Sequence, residues 1–178
     1  MEFSRARQGQ AKEIVDLFTR TFTASEGAEE GALVGGLAAN LLAGTAAEDL
    51  FVFVAEEAGV IVGSIAFSRL VYDRDERTVF VLAPVAVATE RQGAGIGQKL
   101  LTHGLTALRQ AGVDIALTYG DPNYYVKVGF APITEALAPA PFALGRPEGW
   151  LGQSLTDHEL TPLEGRPRCV AALNDPAF

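Results

Sequence analysis

Three glycines at alternate positions separate an apolar segment from an amphipathic one. Gly93, Gly95 and Gly97 follow the run Thr78 to Val87, which is almost wholly apolar, as a buried strand would be. They precede a helical pattern that ends near Gln110. The first N–H groups of a helix have no partner within it, and the helix dipole favours negative charge there. Because glycine carries no Cβ, a diphosphate can approach this backbone closely. The pattern predicts an anion site; the alternative is a tight turn that binds nothing.

The residues around these glycines argue against two common nucleotide sites. The phosphate-binding loop of nucleotide triphosphatases needs Gly-Lys-Ser/Thr, whereas Gly97 is followed by Gln98-Lys99-Leu100. A dinucleotide fingerprint needs G-x-G-x-x-G and an acidic residue at the end of the next strand. The spacing here is G-x-G-x-G, and Asp114 precedes the next predicted strand rather than ending it.

Two motifs of the chain resemble those of the GNAT superfamily of acyl-CoA N-acyltransferases. The run Leu82–Val87 followed by Arg91–Gly97 resembles the central motif, Q/R-x-x-G-x-G/A. Further along, Tyr125–Phe130 resembles the second motif, Y-x-K-x-G-F, and the two motifs stand in the order that the superfamily has. Gly120–Tyr125 and the chain length are similar to a bacterial group of N-acetyltransferases with poorly defined substrates. The resemblance covers about residues 3–135, and the later part of the chain matches loosely.

The resemblance implies acetyl-CoA as co-substrate and transfer of its acetyl group to a primary amine. Backbone amides would hold the pyrophosphate, and main-chain groups at a strand end would pair with the pantetheine arm and polarise the thioester carbonyl. Pairing of this kind needs an exposed backbone edge, which opens where the two central strands splay apart. The residues implied are Gln92, Gly93, Ala94, Gly95, Ile96, Gly97 and Gln98 for the pyrophosphate, and Val85, Ala86 and Val87 for the pantetheine and thioester.

The second motif also implies a proton donor. Tyr125 would protonate the departing CoA thiolate as a general acid, with Tyr124 as its competitor. An amine with a pKa of about 10 must lose a proton before it attacks, and no motif identifies the residue that acts as the base. His103 is expected to be exposed, and nothing supports a role for His158 in an irregular tail. The base stays open between a water relay and carboxylates that equally suit a solvated surface: Glu26, Glu29, Glu30, Asp73 and Glu76.

These residues must be positioned by a mixed set of helices and strands. Helical spacing of apolar residues predicts a helix over Ala11–Phe22, and Ser25 with Glu29 suggests the cap of a second helix that runs to about Leu42. Its Gly35-Gly36 pair predicts a kink or close packing. The other expected elements are strands over Leu50–Ala55, Val60–Phe67, Thr78–Val87 and Ile115–Tyr119, a helical turn from Asp121-Pro122, a strand from Gly129-Phe130 and a closing strand over Arg168–Leu173.

The order of these elements predicts an α/β fold of the α+β, three-layer type that the GNAT resemblance also implies. We expect a mixed, mostly antiparallel central sheet flanked by helices, and the resemblance implies that its central strands are splayed. The length of 178 residues suits a single N-acetyltransferase domain over 1–178, with a core of about 3–135 and an irregular C-terminal extension over 136–178. Trp150 in that extension is interpreted as core packing, the alternative being an anchor over the mouth of the active site.

Composition indicates a folded cytoplasmic protein. Hydrophobic residues make up 48 % of the chain and the net charge is −8, which argues against a broad nucleic-acid-binding surface. One cysteine, Cys169, excludes an internal disulfide and a thiolate metal cluster, and it suits a small buried hydrophobe; no metal is expected. No apolar run is long enough to span a bilayer, and the residues Met1–Gln10 do not have the pattern expected of a signal peptide.

Two further functions compete with direct acetyl transfer in a ternary complex. The first is a non-catalytic module that binds or senses acyl-CoA, which the missing base motivates, and the second is a ligand-free interaction domain. The sequence does not identify the acceptor, although the acidic surface slightly favours a cationic amine. Oligomeric state is also open, although folds of this kind often form homodimers through edge strands or tails.

Overall fold

The computed structural model describes residues 1–175 and 178, so that residues 176 and 177 of the C-terminal extension lie outside the described part. Within it the α-helices are α1 (Ala11–Glu26), α2 (Ala28–Gly44), α3 (Ile96–Gln110) and α4 (Pro122–Tyr125). The strands are β1 (Glu2–Arg5), β2 (Leu50–Glu57), β3 (Val60–Tyr72), β4 (Val79–Val87), β5 (Ile115–Tyr119), β6 (Ala131–Pro132), β7 (Trp150–Ser154) and β8 (Pro167–Cys169). None of the described helices is long and apolar enough to cross a membrane.

The strands form a mixed sheet in the order β1-β2-β3-β4-β5-β7-β6, and β8 pairs with β3. β1 with β2, β3 with β8, β5 with β7 and β6 with β7 pair antiparallel, whereas β4 and β5 are parallel. The parallel register runs from the pair Val79–Ile115 to the pair Leu82–Thr118, although β4 continues to Val87. At its end the buried Thr118 hydroxyl donates to the Leu82 carbonyl at 2.9 Å. The predicted mixed, mostly antiparallel sheet with helices is confirmed.

The chain divides into two compact units. Unit 1 comprises Met1–Phe67 and Pro84–Gly104, and unit 2 comprises Ser68–Ala83 and Leu105–Phe178. Unit 1 therefore holds α1, α2 and the segment that follows β4, and unit 2 holds β5, α4 and the C-terminal strands. The assignment of all 178 residues to one domain stays a prediction.

In unit 1, α1 and α2 form a helical hairpin whose backbones approach closely. A Cβ on Gly31 would lie 1.8 Å from the Thr23 Oγ1 atom, and one on Gly35 would lie 2.0 Å from the Thr19 Oγ1 atom. Only hydrogen fits at these two positions, which confirms the predicted close packing for Gly35. Gly36 of the same pair is exposed and a Cβ there would meet nothing within 4 Å, so it does not take part. The predicted helix cap was wrong: Ser25 belongs to the last turn of α1, because that helix continues to Glu26 and α2 begins after Gly27.

In unit 2, the C-terminal extension supplies a strand that the sequence pattern did not predict. β7 pairs with β5 over five residues and places Trp150 in a buried cluster, where its Nε1 atom donates to the Ala138 carbonyl at 2.8 Å. The interpretation of Trp150 as core packing is therefore confirmed. The cluster contains Leu70, Tyr72, Val79, Ile115, Leu117, Ala138, Trp150 and Leu163.

Two predicted strands differ from those in the structure. The closing strand β8 ends at Cys169, and Ala171–Leu173 form a 3-10 turn instead of the strand predicted to reach Leu173. The strand predicted from Gly129 is reduced to Ala131–Pro132, because Gly129 adopts a left-handed conformation with φ of +96°. Cys169 is half-buried against the cluster of unit 2, and burial raises the pKa of its thiol to about 11.

Candidate active site

The end of β4 leads directly into the predicted anion-binding segment of unit 1. Along Val85, Ala86 and Val87 the side chains alternate between half-buried and buried, as expected for a strand. The next residue, Ala88, donates its N–H to the Val62 carbonyl at 2.8 Å. The Gln92 side chain then turns back, and its Nε2 atom donates to the Val87 carbonyl at 3.0 Å. The strand end and the segment are thus joined by local hydrogen bonds.

Residues 93–95 of the segment after Gln92 are exposed, Ile96 and Gly97 are buried, and the backbone depends on glycine at two of the exposed positions. Gly93 and Gly95 have φ of +82° and +80°, in the left-handed region that favours glycine. A Cβ on either glycine would meet nothing within 4 Å, so their requirement comes from backbone conformation and not from crowding within the protein. The exposed surface of this segment is consequently formed largely by backbone.

Six consecutive N–H groups of this segment are free. Among the described residues, the amides of residues 93–98 donate no backbone hydrogen bond, and the first donor after them is Lys99, to the Gly95 carbonyl at 3.2 Å. The amide of Gln92 is already used, since it donates to the Thr89 carbonyl at 3.4 Å. Residues 96–98 are also the first turn of α3, where the positive end of the helix dipole lies. Free donors on glycine-rich backbone at a helix start are suited to hold an anion.

Two basic side chains flank the segment. Arg91, just before it, forms an ion pair with Glu57, the last residue of β2. Lys99 is exposed on α3. The sequence pattern gave neither residue a partner, so this ion pair was not predicted.

In unit 2, a capped turn positions Tyr125. The Asp121 carboxylate accepts from the Asn123 amide at 2.9 Å, and Pro122 occupies the first helical position, so a short helix starts here as predicted. The Tyr125 ring contacts Tyr124 and Phe130 edge-on, with centroid distances of 5.1 and 5.8 Å. Burial raises the pKa of Tyr125 to about 12, with smaller contributions from Tyr124 and Asp121. Tyr125 is therefore a protonated phenol at neutral pH.

Phe130 of the second motif and Gly120, which precedes the motif, pack around the Tyr125 ring. Phe130 is buried, packs against the Tyr125 ring and donates its N–H to the Tyr125 carbonyl at 3.2 Å. Gly120 must lack a side chain, because its Cβ would lie 2.7 Å from the Tyr125 Cε2 atom. Lys127 is exposed. The neighbouring Tyr124 also has a raised pKa, owing to burial.

One of the carboxylates considered as a base has a structural role. Asp73 Oδ1 accepts from the Arg166 amide at 2.7 Å. This bond belongs to a set, here called the clamp, between the turn before β4 (residues 73–78) and residues 161–166, both in unit 2. Within the clamp, Asp75 binds the Arg77 guanidinium, which donates onward to the carbonyls of Thr161 and Pro162. Asp73 is thus a poor candidate for the base.

For the other candidate bases, the described residues show no comparable hydrogen bond to the backbone of a distant segment. Glu26, Glu29 and Glu76 are exposed, and Glu30 is half-buried on α2. His103 is exposed as predicted, and its ring packs edge-on against Phe53 at 5.7 Å. His158 is exposed as well. In the described part of the chain, no group of three or more His, Cys, Asp or Glu side chains is placed to hold a metal ion.

The structure places the ten predicted acyl-CoA residues together in unit 1, on the end of β4, the loop and the first turn of α3. The proposed acid, Tyr125, belongs to unit 2.

Comparison with known proteins gives consistent matches. A family model described as an acetyltransferase (GNAT) domain matches residues 48–132. The curated protein YjhQ of Escherichia coli, named an uncharacterized N-acetyltransferase, is 32 % identical over 168 residues, which is 92 % of this chain and 88 % of that protein.

Solved structures show the same fold. The GNAT family N-acetyltransferase YhbS from E. coli, crystallised with CoA, has a TM-score of 0.79 at 23 % identity, and the match covers 98 % of this chain and 92 % of that one. A GNAT family acetyltransferase from Brucella melitensis, crystallised with acetyl-CoA, has a TM-score of 0.71 at 29 % identity, with 96 % of both chains covered.

Proposed function

This chain belongs to the GNAT family of N-acetyltransferases, and we propose that it transfers the acetyl group of acetyl-CoA directly to a primary amine while both substrates are bound. The observation that carries the proposal is the row of free N–H groups at residues 93–98, at the start of α3. A pyrophosphate brings several anionic oxygens, which match several consecutive donors better than a single carboxylate does. The relatives crystallised with CoA and acetyl-CoA support this choice of anion.

The strand end before the loop is proposed to bind the remainder of the acyl-CoA. Backbone groups of Val85 and Ala86 would pair with the amides of the pantetheine arm, as an added strand does. The Val87 carbonyl already accepts from the Gln92 side chain, so Val87 would contribute mainly its N–H, aimed at the thioester oxygen. A backbone donor that faces the developing oxyanion lowers the barrier to acyl transfer.

Tyr125 is proposed as the general acid because the second motif places a phenol there, and burial keeps this phenol protonated well above neutral pH. A thiol has a pKa of about 8.5, so a phenol with a pKa of about 12 is a weaker acid than the thiol it would generate. Full proton transfer to the thiolate is therefore unfavourable. The hydroxyl would act by donating a hydrogen bond to the developing thiolate as the C–S bond breaks, with the proton staying mainly on the phenol oxygen.

Calorimetry and a CoA-release assay test the proposal. We expect saturable binding of acetyl-CoA, and release of CoA that depends on an added amine from a panel of polyamines, amino sugars and peptides. Tight binding with no release across the panel would favour the non-catalytic acyl-CoA-binding alternative. Absence of binding would reject the anion assignment itself.

Replacement of the two tyrosines separates their roles. Tyr125→Phe should lower kcat about 100-fold with little change in the KM for acetyl-CoA, because it removes the donor and keeps the ring contacts. Tyr124→Phe is the matched control and should stay within about threefold of the wild type. Because burial raises the pKa of Tyr125 to about 12, ionisation of this residue should not lower kcat between pH 8 and about pH 10.5. Full activity of Tyr125→Phe would show that another group is the acid.

A further inference from the structure

The ion pair between Arg91 and Glu57 connects the anion-binding segment to a fixed point of unit 1. Glu57 ends β2, directly before a two-residue hairpin turn in which Ala58 and Gly59 both have positive φ, +52° and +79°. Such turns match the twist of the two strands and fix their register. Arg91 ends the 3-10 turn that precedes Gln92. The carboxylate therefore belongs to a rigid hairpin, and the guanidinium to the entrance of the loop.

The pair differs from an ordinary surface salt bridge in one respect. The side chains are 39 % and 43 % exposed, for Arg91 and Glu57 respectively, and on exposure alone the pair would contribute little. The Arg91 Nε atom, however, is buried and has no hydrogen-bond partner among the described residues. Part of the guanidinium is thus shielded from water. The Glu57 carboxylate therefore offsets the cost of burying this charge, which solvent does not reach.

The neighbouring contacts show why the entrance of the loop needs a side-chain anchor. Arg91 and Gln92 are held locally, by bonds from their amides to the Ala88 and Thr89 carbonyls at 2.8 and 3.4 Å. Beyond Gln92, the amides of residues 93–98 have no backbone partner. An anchor at Arg91 fixes where the row of free donors begins, which lowers the entropy lost when an anion orders it.

We propose that Arg91 is a positioning residue for the acyl-CoA loop, held in place by Glu57, and that it is not itself a ligand of the pyrophosphate. This inference rests on the proposed function. It makes the carboxylate of Glu57 favourable for binding of an anionic substrate, although simple electrostatics predicts that a carboxylate near the site opposes it.

Glu57→Gln distinguishes the two roles of Arg91 by the direction of the effect. If Arg91 positions the loop, the variant should weaken acetyl-CoA binding about two- to fivefold in Kd and KM, with kcat unchanged. If Arg91 binds phosphate directly, the same variant frees the guanidinium and should tighten binding. Tighter or unchanged binding would overturn the inference.

Glu56→Gln is the matched control for this variant. Glu56 is the preceding residue of β2 and pairs with Arg7 at 3.3 Å, so its replacement removes the same charge from the same strand without touching Arg91. The control should leave Kd for acetyl-CoA within about 1.5-fold of the wild type or slightly lower it. An equal weakening in both variants would show that the effect is not specific to the pair, and would also overturn the inference.

Charge reversal gives an independent readout. Arg91→Glu alone should raise the Kd for acetyl-CoA about tenfold or more, since it breaks the pair and places a second carboxylate beside Glu57. Combining it with Glu57→Arg should recover most of the affinity if the pair acts through position, and none if the guanidinium must reach the phosphate from residue 91. Thermal unfolding of each variant checks that it is folded. If the wild type binds no acetyl-CoA, the proposed function fails first; if it binds and these variants behave otherwise, only the role of Arg91 fails.

Discussion

Before β4, five of the six backbone N–H groups of the turn over residues 73–78 donate hydrogen bonds, whereas after β4 the N–H groups of residues 93–98 donate no backbone hydrogen bond. The amides of the turn donate to the side chains of Asp75 and Asp114, to the nearby Tyr72 carbonyl, or to carbonyls of the distant residues of the clamp. The turn amides with a partner are those of Asp73, Arg74, Asp75, Arg77 and Thr78. Both segments are polar connections at the ends of one buried strand. The turn amides donate to groups within the protein, whereas the loop amides do not.

The difference separates a structural connection from a binding one. A turn with nearly all of its amides hydrogen-bonded has little left to offer a ligand, and its charges stabilise the chain around it. An exposed loop with free amides is satisfied only by water, which an anion can displace. Acidic residues of the turn are therefore expected to affect stability, and glycines of the loop are expected to affect ligand affinity. The following predictions test that division.

The largest effect is expected at Gly95. Gly95→Glu places a carboxylate beside the free amides and should weaken acetyl-CoA binding at least about a thousandfold, because like charges at close range cost several kcal/mol. Gly95→Gln is the matched control, with the same backbone strain at φ of +80° and nearly the same volume. Calorimetry should show a much smaller loss for the glutamine variant. Equal losses would mean that backbone shape, and not anion binding, explains the need for glycine.

The second effect concerns the clamp. Gly165→Ala should lower the free energy of unfolding by about 3 kcal/mol, because its Cβ would lie 2.1 Å from the Asp73 Oδ1 atom and 2.5 Å from the Arg74 amide nitrogen. Gly9→Ala is the control: Gly9 has the same φ of +99° but nothing within 4 Å, so only the strain of about 1 kcal/mol applies. Urea denaturation measures both. A Gly165 variant that stays folded should bind acetyl-CoA as the wild type does, and a large loss of affinity would contradict the division.

The smallest effect depends on pH. The Arg77 guanidinium and two backbone amides hold the pKa of Asp75 well below its usual range. In the unfolded chain the Asp75 carboxylate takes up a proton at about pH 4, whereas in the folded chain it does not. The stabilisation that Asp75 gives to the folded chain is therefore present above that pH and is lost as the pH falls. Asp75→Asn should cost about 2 kcal/mol at pH 7, and this difference from the wild type should shrink at pH 3. A difference independent of pH would show that the charge of Asp75 contributes nothing.

The loop after β4 could be predicted from the sequence because its cause is local. Gly93 and Gly95 need their conformation whatever the rest of the chain does, and the helix that follows has a clear apolar face. The same holds for α4, where Asp121 and Pro122 are adjacent cap residues. The second motif placed Tyr125 on this turn, and burial then set its pKa.

The parts that could not be predicted depend on distant partners. β7 has a weak strand pattern of its own, and Gly152 is there because a Cβ would lie 2.8 Å from the Leu117 Cδ2 atom of β5. Arg91 is separated from Glu57 by 34 residues, and neither position carries a local signal of pairing. At the α1–α2 corner, Ser25 suggested a cap because local propensity cannot show that α1 continues for one more turn.

The clamp also has a consequence for the synthesis of the chain. Asp73 accepts its hydrogen bond from the amide of a residue made 93 positions later. At about 5 to 20 residues per second, a ribosome needs roughly 5 to 20 s to cover that distance. For that time the turn before β4 exists without its partners, while the glycine loop after β4 has already been made. The nascent chain therefore completes its anion-binding segment well before the clamp can form, and a molecular chaperone would meet an unclamped turn.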